Sequence, residues 1–272
     1  MKQKDLEKMA LEMRRKIIDI SHNCGHSTHV GGALSMVELM TVLYGHVLNF
    51  DVKNPRWDDR DRFILSKGHG VLGYYPALLL SGIISEETFN TFMTNGTDLI
   101  AHPVMNMDLG IESSNGSLGQ GISMAVGIAL AAKKKNKPYN TYTLIGDGES
   151  NEGSVWEAAM LAPHLGLDNL TLLVDYNRMQ NDGAGKDIIN IENMPERFKA
   201  FGWYVIEVDG HNISEIVDAF QDSSNSGKPK AIVAHTIKGK GVPFMENEKS
   251  WHHNRVNKTN YDLAIEALNG TQ

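Results

Sequence analysis

The sequence predicts an α/β fold built on a parallel sheet with helices on both faces. Short apolar runs rich in β-branched residues recur at 63–65, 141–145, 170–174, 204–208 and 231–234. Segments with helical apolar spacing stand between them, and the runs end in turns rich in Gly, Asp or Asn. Strands alternating with helices favour parallel pairing, because each crossover helix packs back on the sheet. Residues 6–20 read as an amphipathic helix through Leu6, Met9, Ala10, Met13, Ile17 and Ile20. A break rich in Gly, His, Ser and Thr follows over 22–32, and helical spacing returns over 34–48. Residues 49–62 are polar and turn-like, with Asn54-Pro55. After the first strand and a second helical region, a glycine-rich stretch at 116–121 leads into an apolar helix through Ala132. The segment 221–230, with Ser223, Ser224, Ser226, Gly227 and Pro229, is too short to separate domains and reads as a helix-to-strand joint. The expected organisation is one domain over 1–272, with an N-terminal helical extension and a polar C-terminal tail beyond Gly241.

Composition narrows the function classes. The 272 residues suit between one and two domains at roughly 150 residues each. A single cysteine, Cys24, excludes an internal disulfide and reads as a packing residue. With 26 basic against 33 acidic side chains the net charge is −7, which argues against a nucleic-acid partner. Lys133-Lys134-Lys135 then reads as a solvated helix end. No run approaches the roughly 18 apolar residues of a membrane span, and the polar start has no apolar signal core. A cytoplasmic protein without membrane or nucleic-acid partners is expected.

Two strand ends carry unusual chemistry. Open parallel sheets bind ligands beyond the carboxyl ends of their strands. At Ile145-Gly146-Asp147-Gly148 the glycines allow close backbone approach to a phosphate, yet Asp147 would repel one. A hard divalent cation between them resolves the conflict. Asp147, the Asn177 side-chain carbonyl and the Met179 main-chain carbonyl would supply oxygens, with a diphosphate bound through the metal. A plain Gly-Asp-Gly turn ending a strand is the alternative. The dinucleotide glycine signature is not met, because Ser150 or Asn151 stands where its last glycine should be.

Gly146-Asp147-Gly148 followed after 28 residues by Asn177 resembles the thiamine diphosphate motif. The runs 146–153 with Trp156-Glu157-Ala158, 61–70, Leu118-Gly119-Gln120-Gly121 and Asp209-Gly210-His211 resemble the transketolase family in its own order, from about residue 10 to about 255. The resemblance implies the thiamine diphosphate-binding fold. It implies that Asp147, Asn177 and Met179 hold Mg²⁺ or Ca²⁺. His69 and Gly148 would contact the diphosphate, with Glu149 also among the cofactor-binding residues, and Gly116 and Leu118 would lie by the aminopyrimidine. Glu152 would join a carboxylate network at a subunit interface. His252 would lie near the diphosphate and reaction centre, with His253 its competitor. His29, with His26 its competitor, and His102 would face the sugar. The family's Ser-Gly-His-Pro-Gly appears here as Ser27-Thr28-His29-Val30-Gly31, which bears on substrate identity. Outside these motifs His46, His164 and His235 read as ordinary polar residues. A zinc site from His22, His26 and His29 would need a helix that Gly25 disfavours.

Transketolases of the family are more than twice this length. The glutamate that activates the cofactor's aminopyrimidine lies in a second domain, and no position here matches it. The resemblance therefore implies the diphosphate-binding subunit of a split transketolase, active only with a partner chain. That partner would be a C-terminal subunit bringing the pyrimidine domain and activating glutamate, and the assembly a 2+2 heterotetramer acting on sugar phosphates. The alternatives are a related thiamine enzyme (deoxyxylulose-phosphate synthase-like, or a modified-sugar transketolase), a plain nucleotide binder and a non-catalytic cofactor-binding subunit.

Overall fold

The computed structural model describes residues 1–224 and 227–270. Five strands form one sheet: β1 Arg62–Leu65, β2 Thr141–Gly146, β3 Leu170–Tyr176, β4 Tyr204–Asp209 and β5 Lys230–His235. Their order is β1-β2-β3-β5-β4 and every pairing is parallel. All five carboxyl ends therefore open on the same edge.

Both faces are covered, which is why the strands read as near-continuous apolar runs. Successive side chains alternate between faces. Phe63, Leu65, Leu144, Leu173 and Ile232 join one apolar cluster, while Ile64, Ile145, Leu172, Val174 and Val233 join the other. The first face is packed by helices Gln3–Asn23, Val71–Leu80, Ile213–Gln221 and Lys258–Asn269 with the turns of 30–47. The second is packed by helices Gln120–Lys134, Gly153–His164 and Met194–Phe201.

Three expectations need revision. The first helix is no appendage: Leu6, Met13, Ile17 and Ile18 are fully buried in the larger cluster. The stretch 34–48 is not one helix but Val30–Leu34, Val37–Val42 and a π turn at Leu43–Val47. The Ser35 hydroxyl donates to Gly32 O and to the Asp175 carboxylate, bending the chain between the first two pieces. The polar tail holds helix Lys258–Asn269, anchored on the first helix by the Tyr261 hydroxyl donating to Asp19 (2.9 Å) and by Arg15 to Asn269. Leu268 and Ala264 supply its short buried stripe, too sparse to read among Asn and Lys. The joint at 221–230 runs from Gln221 to β5, and Ser226 within it lies outside the described residues.

Candidate active site

The carboxyl edge of the sheet carries a cleft of about 200 Å³. Its floor is the turn after β2. Asp147 is buried, and its oxygens accept from Gly148 N (2.7 Å) and Arg178 N. Burial, with the Asp175 charge behind it, pushes the Asp147 carboxyl up to about 7. A nearby cation would favour the charged form of such a carboxyl. Asn177, after β3, donates through Nδ2 to Asp175 Oδ2 (3.2 Å), and its Oδ1 accepts from Met179 N (3.0 Å). Asn177 lines the cleft together with Asp147. Met179 lines the same cleft. One carboxylate, one amide and one main-chain oxygen make a donor set for a hard cation that keeps phosphate or water ligands. Among the described residues no group of three or more His, Cys, Asp or Glu is gathered as a metal centre. The oxygens here are of mixed type.

Two buried lysines enter the same cleft, and sequence reasoning gave neither a role. Lys67 Nζ donates to Asp175 Oδ2 (2.5 Å) and to Gly32 O (2.8 Å). Asp175 also accepts from Ser35 (2.6 Å) and Thr236. Burial raises the Asp175 carboxyl, but Lys67 and these hydroxyls outweigh it and hold it low. Lys238 Nζ meets His252 Nδ1 at 2.7 Å, with Gln180 O and Met179 O at 3.3 and 3.4 Å. Burial draws its ammonium down to about 8. Two lysine ammonium groups lining the cleft suit a diphosphate. The signal for both was a lysine before glycine, just past a strand, in Ser66-Lys67-Gly68 and Ile237-Lys238-Gly239.

Glu149 lines the cleft, but both its oxygens are taken: Oε1 by Ser66 (2.5 Å) and Gly119 N (2.8 Å), Oε2 by Gly146 N (3.1 Å). It ties three loops together and so holds Leu118 beside the cleft. Gly119 has φ +81°, and a Cβ there would collide with Ser154 Oγ, so only glycine makes this turn. Gly148 lines the cleft facing Gln180.

Above the cleft the histidines gather. The His29 ring centroid lies 5.0 Å from His69, 6.2 Å from His102, 5.4 Å from His252 and 4.5 Å from His253. Gly116 borders His102, within 3.5 Å of where its Cβ would stand. A two-way pairing of Thr28 with Asn254 brings the loops of His29 and His253 together (2.9 and 3.0 Å). Burial lowers His29 to about 4 and His252 to about 3, and it also lowers His69 and His102. Neutral rings each offer one donor and one acceptor, which suits a polyhydroxyl ligand. His26 is exposed, and His22 Nδ1 is bonded to Val256 O (2.9 Å). Glu152 stands apart, exposed at the start of helix Gly153–His164. Its carboxylate makes no hydrogen bond or ion pair among the described residues.

Comparison with known proteins places the chain in a family. Residues 7–268 match the family described as transketolase, thiamine diphosphate binding domain. The chain is 42% identical to a 6-deoxy-6-sulfo-D-fructose transketolase subunit from Clostridium sp. (strain MSTE9), over 97% of this chain and 96% of that one. It is 41% identical to one of the apulose-4-phosphate transketolase subunits, that from Actinobacillus succinogenes, again over 97% and 96%. The crystal structure of transketolase from Campylobacter jejuni superposes with a TM-score of 0.91 at 32% identity, covering 99% of this chain and 43% of that one. This chain belongs to the transketolase family and corresponds to its thiamine diphosphate-binding domain.

Proposed function

We propose that the chain is the diphosphate-binding subunit of a two-chain transketolase that moves a two-carbon ketol unit between sugar phosphates. The carrying observation is the junction of two chemistries in one cleft: oxygens and lysines at the base, neutral histidines at the mouth. Asp147, Asn177 and the Met179 carbonyl would hold Mg²⁺ or Ca²⁺, and Lys67, Lys238, His69 and Gly148 would face the diphosphate. Gly116 and Leu118 would border the aminopyrimidine. When bound, thiamine diphosphate supplies stabilisation of negative charge at the cleaved carbon. His29, His102 and His252 orient substrate hydroxyls and relay protons between them as neutral rings. Glu149 acts indirectly, by fixing the loops around the cleft.

The partner supplies the pyrimidine domain and its activating glutamate. Two facts support a partner: the chain spans about two fifths of the solved transketolase it matches, and nearly all of its subunit relatives. Glu152 would join a carboxylate network across that interface in a 2+2 heterotetramer, a role that its exposure supports. Residues 1–272 act as one domain, since the two terminal helices pack on each other. No helix among the described residues is long and apolar enough to cross a membrane.

A modified ketose as donor is the second reading. It is favoured by the Ser27-Thr28-His29-Val30-Gly31 loop, by His253 against His29, and by the substrates that two relatives' names carry. Calorimetry with the partner present tests the first reading. Thiamine diphosphate should bind with Mg²⁺ and NAD should not, and Asp147→Ala should abolish the metal dependence. Unchanged binding by that variant would sink the site assignment.

A further inference from the structure

The Asp209-Gly210-His211 run has no place in the reading above, yet its histidine sits at the centre of a buried polar chain. His211 leaves β4 with Nδ1 3.0 Å from Glu38 Oε2 and Nε2 2.8 Å from Ile237 N. A peptide N–H can only donate, so Nε2 accepts and the ring proton lies on Nδ1, directed at Glu38. Glu38 is paired with Arg14 at 2.7 Å, and both side chains are under one tenth exposed. Arg14 Nε in turn donates to Lys240 O at 3.0 Å. The segment after β5 is thus gripped at both ends, at Ile237 by His211 and at Lys240 by Arg14. Lys238 lies between, 1% exposed, with its ammonium on His252 Nδ1. An ammonium also only donates, so His252 must accept through Nδ1 and carry its proton on Nε2.

We propose that the Arg14–Glu38–His211 triad is a positioning device: it fixes the turn after β5 so that Lys238 holds His252 as the Nε2–H tautomer in the cofactor cleft. Three elements far apart in sequence, the first helix, helix Val37–Val42 and the β4 exit, set one proton at the mouth of the site. Burying charge so close to the sheet is costly unless each partner is satisfied, and here each member has a defined partner. What the cleft binds rests on the proposed function, but the positioning does not.

Nitrogen-15 spectra of the histidines in the purified chain, with His252 assigned by loss of its signal in His252→Gln, read the tautomer directly. Wild type should show His252 as Nε2–H. Lys238→Met should mix its tautomers, and so should His211→Phe. His211→Gln, which keeps an acceptor for Ile237, should restore the wild-type signal. Thiamine diphosphate affinity in Mg²⁺, measured with the partner present, should fall about tenfold in His211→Phe and stay within about twofold in His211→Gln. The double variant with Lys238→Met should bind no worse than Lys238→Met alone. Should His211→Phe not fold, Arg14→Met, which frees the Lys240 end and leaves Glu38 to His211 alone, carries the same expected shift in the His252 signal. An unchanged His252 signal in a folded His211→Phe or Arg14→Met, or effects that multiply in the double variant, would overturn the assignment. Failure of wild type to bind the cofactor would instead remove the proposed function, and the tautomer measurement, which needs no cofactor, would still decide the positioning role.

Discussion

The base of the cleft and its mouth solve opposite problems. At the base, Asp175 is fully buried and answered by Lys67, Ser35, Asn177 and Thr236, and Glu149 by Ser66, Gly119 and Gly146. At the mouth, the rings of His29, His69 and His102 make no hydrogen bond among the described residues. A prebuilt base loses little ordering entropy when a diphosphate arrives. A mouth with unmet donors and acceptors would be completed by what binds there, on the proposed function a sugar and a partner chain. Asp147 is the exception at the base: burial, with the Asp175 charge nearby, raises its carboxyl to about 7.

That contrast predicts a gradient of mutational effects. The largest belongs to Lys67→Met, which strands Asp175 in the interior and should cost about 3–5 kcal/mol of stability in denaturant unfolding. Pairing it with Asp175→Asn should recover most of that stability without recovering cofactor affinity. Equal loss in single and double variants would mean that the pair is not the structural centre of the base. Next comes Asp147→Ala, expected to weaken Mg²⁺-dependent cofactor binding by about a hundredfold while leaving the melting temperature nearly unchanged or higher, because a strained buried carboxyl is removed. At the mouth, His102→Asn and His29→Asn should lower kcat/KM by about a hundredfold with cofactor affinity intact. A parallel loss of cofactor affinity would erase the distinction between base and mouth.

The smallest effect concerns pH. Burial pushes Glu38 up, but Arg14 and His211 outweigh it and hold its carboxyl below the ordinary range. A depressed carboxyl contributes stability above its unfolded value, and that contribution fades as pH falls through the folded one. The stability gap between wild type and Glu38→Gln should therefore be widest near neutrality and shrink on acidification. A gap that widens in acid would reverse the sign of the assignment.

Much of this was legible in the sequence, for reasons that differ by region. The strands were readable because a sheet covered on both faces demands continuous apolar runs, as at 170–174. Asp147 and Asn177 were readable because a carboxylate between glycines at a strand end has few uses other than a turn or a cation. Lys67 and Asp175 were not, since their meaning lies in pairing across 108 positions of chain. The same holds for His211, whose partners Glu38, in the helical layer, and Ile237, after the neighbouring strand, are distant in sequence. The glutamate roles also needed coordinates: Glu149 and Glu152 stand three positions apart, one wholly consumed by loops and one exposed at a helix start.

On the proposed function this chain brings the diphosphate cleft and the clustered histidines, and a partner chain completes the active site. Reconstitution tests it most directly: ketol transfer measured with thiamine diphosphate and Mg²⁺ for this chain alone, for a pyrimidine-domain partner alone, and for the two mixed. Turnover is expected only in the mixture, saturating at equal amounts of the two chains. Full turnover by this chain alone would contradict it.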